Sequence, residues 1–292
     1  MLCACLDTNQ PVCDSTLLNL DTNDLTLFRN ELKNISCSKL PKPLKLGVPV
    51  EYHAPGLSNE ILDVWERVCC WCADRLSLEI RKVSIPHMRF ACATYAVLCS
   101  TEVASNMSRY DGLEFGYRAR PQIMDEQANS EFGSTEELFA ASRSASLGEV
   151  VRSRILAGNY FMLTKNQMNY LDAARKMWRL ICSEFNDVLS DQVDFLLAPV
   201  HLTTASTILD FSLLDNRTRS SRDDVLTSPV NLAGLPAVTI PVATSKETGL
   251  PIGLQLIGPA LSEPKLLSLA LCIERMARFK HLVDLSEILN AD

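Results

Sequence analysis

The sequence predicts an α/β fold, a central sheet covered by helices. Three observations carry that prediction. Short β-like runs alternate with amphipathic helical stretches from Leu44 onward. Apolar residues in the intervening stretches recur at helical spacing. The 292 residues are 47% hydrophobic and 22% charged, enough apolar material for a large core.

The elements follow in order. Residues 1–43 read as a loosely structured N-terminal segment, and 44–292 as the body of the domain. LKLGVP (Leu44 to Pro49) reads as a strand. Ile61, Trp65, Val68, Cys72 and Leu76 then step by four, three, four and four, which is one buried helix face. LEIRKVSI returns as a strand, and the apolar text from Phe90 to Met107 reads as a buried helix. Arg118 to Gly133 is polar and loop-like.

Ser134 followed by Glu137 is a capping-box signature, so a helix starts there and runs toward Ser146. Gly148 opens a further helix through Met162. Asn166 to Leu189 is the longest helical stretch, with Tyr170, Ala174, Met177, Ile181 and Phe185 on one face. DFLLAP is the next strand, and Val200 to Arg222 reads as a long polar surface loop after Pro199. AVTIPV and IGLQLIG read as two strands joined by a turn. A helix from Glu263 to Phe279 follows, with Pro264 in its first turn.

Composition excludes several function classes. No run of about 18 uncharged apolar residues exists, so no membrane span is expected. A net charge of -7 argues against a dominant nucleic-acid surface. The 11 Cys lack framework spacing, which points to reduced thiols. With only 11 Gly, glycine loops are scarce: no G-x-S-x-G elbow, no GK[ST] loop and no G-x-G-x-x-G occur.

Several residues carry a functional reading beside a bland one. Cys69 and Cys72 form a formal C-x-x-C, but on a helix stripe and without a second pair at zinc spacing. His53 and His87 are lone loop histidines that would need a partner to act in catalysis. Arg152 and Arg154 sit in an apolar helical stretch; one of them, if buried, would clamp a carboxylate, and otherwise its stem lies on the helix surface. Asp223 and Asp224 would ordinarily be helix N-cap carboxylates. An Arg and an Asp brought together by the fold would suit an amino acid, the Arg for its α-carboxylate and the Asp for its α-ammonium.

SPVNLAGLPAVTIPV followed by LPIGLQLIGP resembles the C-terminal region of amidase-signature enzymes. STEVASNMSRYDGLEFGYRA, SRSASLGEVVRSRILAGNYFML, DNRTRSSRDD and GVPVEYHAPGL are similar, in order, to the A-subunit family of glutamyl-tRNA(Gln) amidotransferases of the animal mitochondrial type. The resemblance implies part of an α/β/α amidase-signature fold with a mixed central sheet. It implies glutamine hydrolysis that supplies ammonia for converting Glu-tRNA(Gln) to Gln-tRNA(Gln), a ligase reaction of mitochondrial translation in the matrix. It also implies partners, subunits B and C, with tRNA bound mainly through the partner subunit. No cofactor is expected on this chain, since ATP and Mg are used by that partner.

The residues that the resemblance carries over are on the substrate side. Arg154 and Asp224 match positions implied to hold the backbone groups of glutamine, and Tyr95 matches a tyrosine implied to line the pocket. The family's Lys-Ser-Ser catalytic segment has no counterpart in these residues and is expected upstream of Met1. No catalytic residue is therefore assigned, and the chain alone is expected to be inactive. Two alternatives stay open: a non-catalytic form acting in the assembly of the complex, and another amidase-signature amide hydrolase.

Overall fold

A computed structural model describes residues 22–36, 43–120 and 132–279. Most of the polar stretch read as loop-like from Arg118 to Gly133 lies outside the described residues. The first described element is a helix, α1 (Thr22–Lys33), inside the segment expected to be only loosely structured. Its Leu25 and Leu32 are buried.

Among the described residues the sheet has five strands: β1 (Lys45–Pro49), β2 (Glu79–Val83), β3 (Phe195–Pro199), β4 (Ala237–Thr244) and β5 (Pro251–Ile257). Their spatial order is β2-β1-β3-β5-β4. β1 runs parallel to both β2 and β3, while β5 is antiparallel to β3 and β4. The sheet is thus mixed, as expected. All five residues of β3 are buried. Successive strand side chains point to opposite faces, so the centre of the sheet is covered on both sides. Pro241 falls on the outer strand β4 beside a register shift, where a missing N–H costs least.

The stripe predicted from Ile61 to Leu76 forms α2 (Asn59–Leu76), started by the Ser58 hydroxyl, which accepts the Glu60 N–H at 3.2 Å. Ile61, Val64, Trp65, Val68 and Cys72 are buried. The Trp65 indole N–H donates to the Leu197 carbonyl at 3.1 Å, so the largest core side chain also satisfies its polar atom. After β2, a 3-10 turn (Pro86–Phe90) leads into α3 (Ala91–Met107).

α3 corrects an expectation. Rather than a fully buried helix, it buries a stripe of small residues, Ala91, Thr94, Ser100, Thr101 and Ala104, while Phe90 and Tyr95 are each 40% exposed. The next two helices are α4 (Thr135–Ser146) and α5 (Glu149–Met162). At the start of α4 the Ser134 hydroxyl accepts the Glu137 N–H, and the Glu137 carboxylate accepts the N–H of Gly133 rather than that of Ser134. The small stripe of α3 receives α5 at Gly158, where a Cβ would lie 2.1 Å from the Ser100 carbonyl oxygen. Only glycine permits so close a crossing.

The longest helical stretch is realised as α6 (Thr164–Gln167) and α7 (Ala173–Asp187), with π turns at Met168–Asp172 and Val188–Gln192. Ala174, Ile181 and Phe185 are buried as the periodicity requires, whereas Tyr170 is 38% exposed. The region read as a loop contains two short helices, α8 (Ile208–Leu213) and α9 (Asn216–Asp223). The Thr207 hydroxyl caps α8 by accepting the Asp210 N–H, and the Asp215 carboxylate accepts the Thr218 N–H at the start of α9. α10 (Ser228–Ala233) then precedes β4, and α11 (Glu263–Ala277) closes the described chain, with Pro264 in its first turn.

Candidate functional site

Ligands of open α/β sheets bind beyond the carboxyl ends of parallel strands, where connections leave in opposite directions. β1, β2 and β3 share that end here. β2 leads from it through the 3-10 turn into α3, and β3 leads from it toward α8, α9 and the Asp224 turn. Both connections therefore deliver side chains to one edge of the sheet.

Tyr95 stands one turn into α3 and Cys99 one turn further along the same side of the helix. The charge of Cys99 and partial burial hold the Tyr95 hydroxyl above the usual phenol range; the Cys99 hydrogen bond acts in the same direction. Two further groups act on that hydroxyl from other elements: Arg154 of α5 lowers its proton affinity and Asp224 raises it. Asp224 also adds to the rise of the Cys92 thiol, which burial mainly causes and a contact with the Ser228 hydroxyl opposes. α5 crosses α3 at Gly158 and Ser100, and the start of α10 meets α3 through Ser228 and Cys92, so the elements that carry Tyr95, Arg154 and Asp224 lie against one another.

Arg154 and Asp224 are exposed. Among the described residues neither side chain makes a hydrogen bond, and no ion pair joins them. Two opposite charges on neighbouring elements that do not pair with each other can receive a zwitterion, one group to each end. Arg152 is exposed on the same helix, and its place in this arrangement is not marked by any contact to Tyr95.

The N-cap reading of the two aspartates is corrected. Thr227 is the residue before α10, and no side chain caps that helix. The backbone carbonyl of Asp224, not its carboxylate, accepts the N–H groups of Thr227 at 3.2 Å and Ser228 at 2.8 Å. Asp223 Oδ1 instead lies 3.1 Å from His201 Nε2, at ion-pair distance.

The other residues singled out in the sequence have local partners. His87 is held by Glu184, which takes both its ring nitrogen Nδ1 and its backbone N–H. His53 stacks on Trp65 with ring centroids 4.8 Å apart. Cys72 is buried, and burial pushes the Cys69 and Cys72 thiols up to about 12, which keeps them protonated and unreactive. Two grooves, of about 710 and 290 Å³, lie away from Tyr95, Arg154 and Asp224. The first is lined by Asn59, Glu60, Arg67 and Lys246 among others. Its Glu60 is already engaged by the Ser245 hydroxyl and the Lys246 N–H.

His201, Cys92 and Cys99 were missed in the sequence. His201 sits in text read as loop, and its partner Asp223 was assigned to a helix cap. The T-x-x-D spacing of Thr207 and Asp210 was a legible start signal for α8 that the polar composition masked.

Comparison with known proteins places these features in context. The family model described as Amidase matches residues 12–267. The A-subunit of the mitochondrial glutamyl-tRNA(Gln) amidotransferase of Ixodes scapularis is 43% identical over 289 residues, covering 97% of this chain and 54% of the relative. That of Mus musculus is 42% identical over 284 residues, covering 96% and 51%. The chain spans about half the length of the curated relatives it matches. Among solved structures, the glutamyl-tRNA(Gln) amidotransferase A-subunit of Thermotoga maritima aligns with a TM-score of 0.59 at 27% identity, covering 85% of this chain and 45% of that one. An amidase crystal structure aligns at 0.58 with 22% identity, covering 83% and 47%, a likeness of fold alone.

Proposed function

The chain belongs to the amidase family, and on that premise we propose that it forms the glutamine-holding part of the A-subunit of a mitochondrial glutamyl-tRNA(Gln) amidotransferase. The observation that carries the proposal is 43% identity over 97% of the chain to such a protein. The packing of α5 and of the start of α10 against α3, the helix of Tyr95, supports it.

In this reading the Arg154 guanidinium takes the α-carboxylate of glutamine and Asp224 takes the α-ammonium. Tyr95, its hydroxyl kept neutral, lines the path of the side chain. Fixing the α-carbon at two charges sets the distance at which the γ-amide is presented. Hydrolysis of that amide needs a nucleophile activated by a base relay, and backbone donors for the oxyanion. No lysine or serine of these 292 residues stands in the family's Lys-Ser-Ser arrangement, so this chain alone is expected to bind glutamine without turning it over. The ammonia released in the complete enzyme would convert Glu-tRNA(Gln) to Gln-tRNA(Gln) on partner subunits B and C. ATP and Mg are used there, and tRNA is held mainly by the partner. Placement in the mitochondrial matrix follows from the same relatives. No helix of the described residues is long and apolar enough to cross a membrane.

Calorimetric titration of the chain with glutamine tests this. Arg154→Met is expected to weaken binding roughly tenfold to hundredfold, the usual worth of a charge-assisted hydrogen bond. An unchanged affinity would favour an amide hydrolase whose substrate has no α-carboxylate, and robust glutaminase turnover by this chain would overturn the division of labour.

A further inference from the structure

The Asp224 carboxylate makes no hydrogen bond with the described residues, so its direction is set by the backbone on either side. On one side, His201 Nε2 lies 3.1 Å from Asp223 Oδ1, at ion-pair distance. On the other, the Leu226 carbonyl accepts from the buried Gln255 Nε2 at 2.9 Å, and the same nitrogen donates to the Pro199 carbonyl at 2.9 Å. Between them, the Asp224 carbonyl closes a turn onto the Thr227 and Ser228 N–H groups. The turn is therefore pinned at both ends to the residues that leave the carboxyl end of β3.

The His201 ring is itself fixed. Its Nδ1 lies 3.2 Å from the Thr203 N–H nitrogen and 2.9 Å from the Thr203 carbonyl oxygen. A neutral ring accepts from the N–H with Nδ1, and a protonated ring donates to the carbonyl. In both of these forms Nε2, 3.1 Å from Asp223 Oδ1, carries a proton. Both partners are about one-third exposed, at 33% and 37%, and pairs of that kind contribute little to global stability. What the contact does control is the local geometry of the turn.

We infer that His201 is a positioning residue: by holding Asp223 it orients the turn so that the neighbouring Asp224 carboxylate faces the α-ammonium group of the bound amino acid beside Tyr95. The inference rests on the reading above, that Asp224 receives the ammonium of glutamine. It assigns His201 no contact with the ligand. Its signature is therefore a loss of selectivity for the ammonium, with the rest of the site unchanged.

The test compares affinities of the full chain for glutamine and for 4-carbamoylbutanoate, which is glutamine without its α-ammonium. The unaltered chain is expected to prefer glutamine by roughly tenfold to hundredfold, from one charge-assisted hydrogen bond. His201→Ala is expected to bring that ratio within about threefold while the analogue binds as before. His201→Gln, whose amide N–H can reach Asp223, restores it. Hydrogen exchange at the Thr227 and Ser228 amides should quicken in His201→Ala and recover in His201→Gln. If Asp224→Asn abolishes the preference and His201→Ala leaves it intact, the positioning role is wrong. If Asp224→Asn does not alter the preference, the assignment of the ammonium to Asp224 fails and the inferred role falls with it. Unchanged exchange at Thr227 and Ser228 in His201→Ala would refute the holding of the turn whatever the ligand result.

Discussion

Replacing Gly158 with alanine tests the crossing of α3, which carries Tyr95, with α5, which carries Arg154. In an ordinary exposed helix this change stabilises by about 1 kcal/mol, because alanine loses less backbone entropy than glycine. Here the added Cβ would lie 2.1 Å from the Ser100 carbonyl oxygen and 2.8 Å from the Ala104 Cβ. The nearest atoms are backbone, so no side-chain rotation relieves the clash, and α5 must withdraw by about 1 Å to reach a tolerable contact. Overpacking of this size costs about 1–3 kcal/mol, and the separation also strips contacts from Ser100 and Ala104. A net loss of about 1–2 kcal/mol is expected once the helix-propensity gain is deducted, lowering Tm by about 2–3 °C for a chain of this size. Far-ultraviolet circular dichroism melts of the two proteins read it directly. Gly148→Ser is the control, since Gly148 has open space at its Cβ position and precedes α5 as its N-cap. It should gain a few tenths of a kcal/mol. A higher Tm for Gly158→Ala would mean that the two helices are not in contact there, and the geometry assigned to Arg154 would fall with it.

Gln255→Leu removes the buried donor shared by the Pro199 and Leu226 carbonyls, and should cost about 2–4 kcal/mol in urea unfolding; a loss below about 0.5 kcal/mol would show that neither carbonyl depends on it. Alkaline conditions probe the buried thiols. Cys69 and Cys72 are raised from 9.0 to about 12 in the folded chain, so the unfolded state releases their protons first and stability falls as pH rises from about 9 toward 12. The stability is fully present below that window. Urea unfolding under reductant at stepped pH should therefore show a decline that flattens in the Cys69→Ala, Cys72→Ala double variant, and equal slopes in both proteins would refute the burial of these thiols.

The elements that could be read from sequence are those whose cause is local. LKLGVP, LEIRKVSI, DFLLAP, AVTIPV and IGLQLIG all become strands, and the Ile61 to Cys72 stripe becomes the buried face of α2. Hydrophobic spacing and turn residues act over a few positions, and so they survive any tertiary arrangement. The Val200 to Arg222 stretch was misread because its polar composition outweighed the capping residues Thr207 and Asp215, which supply the start of α8 and α9. α3 was misread in burial rather than in type: small residues look apolar in sequence, yet what they do is let α5 approach, leaving Tyr95 partly open.

The site divides in the same way. Tyr95, Arg154 and Asp224 were named from the resemblance, but nothing in the local text around any of them requires the other two. Only the fold shows that α5 crosses α3 at Gly158 and that the start of α10 meets α3 at Cys92, and that His201 stands beside Asp223 rather than Asp224. The sequence by itself determined the strands, most helices and the kinds of side chain available, because those follow from periodicity within a few residues. The tertiary structure decided the sheet order β2-β1-β3-β5-β4, the close crossing at Gly158 and the company that Asp224 keeps. Contacts between residues far apart in the chain depend on how whole elements pack, and no local pattern encodes that.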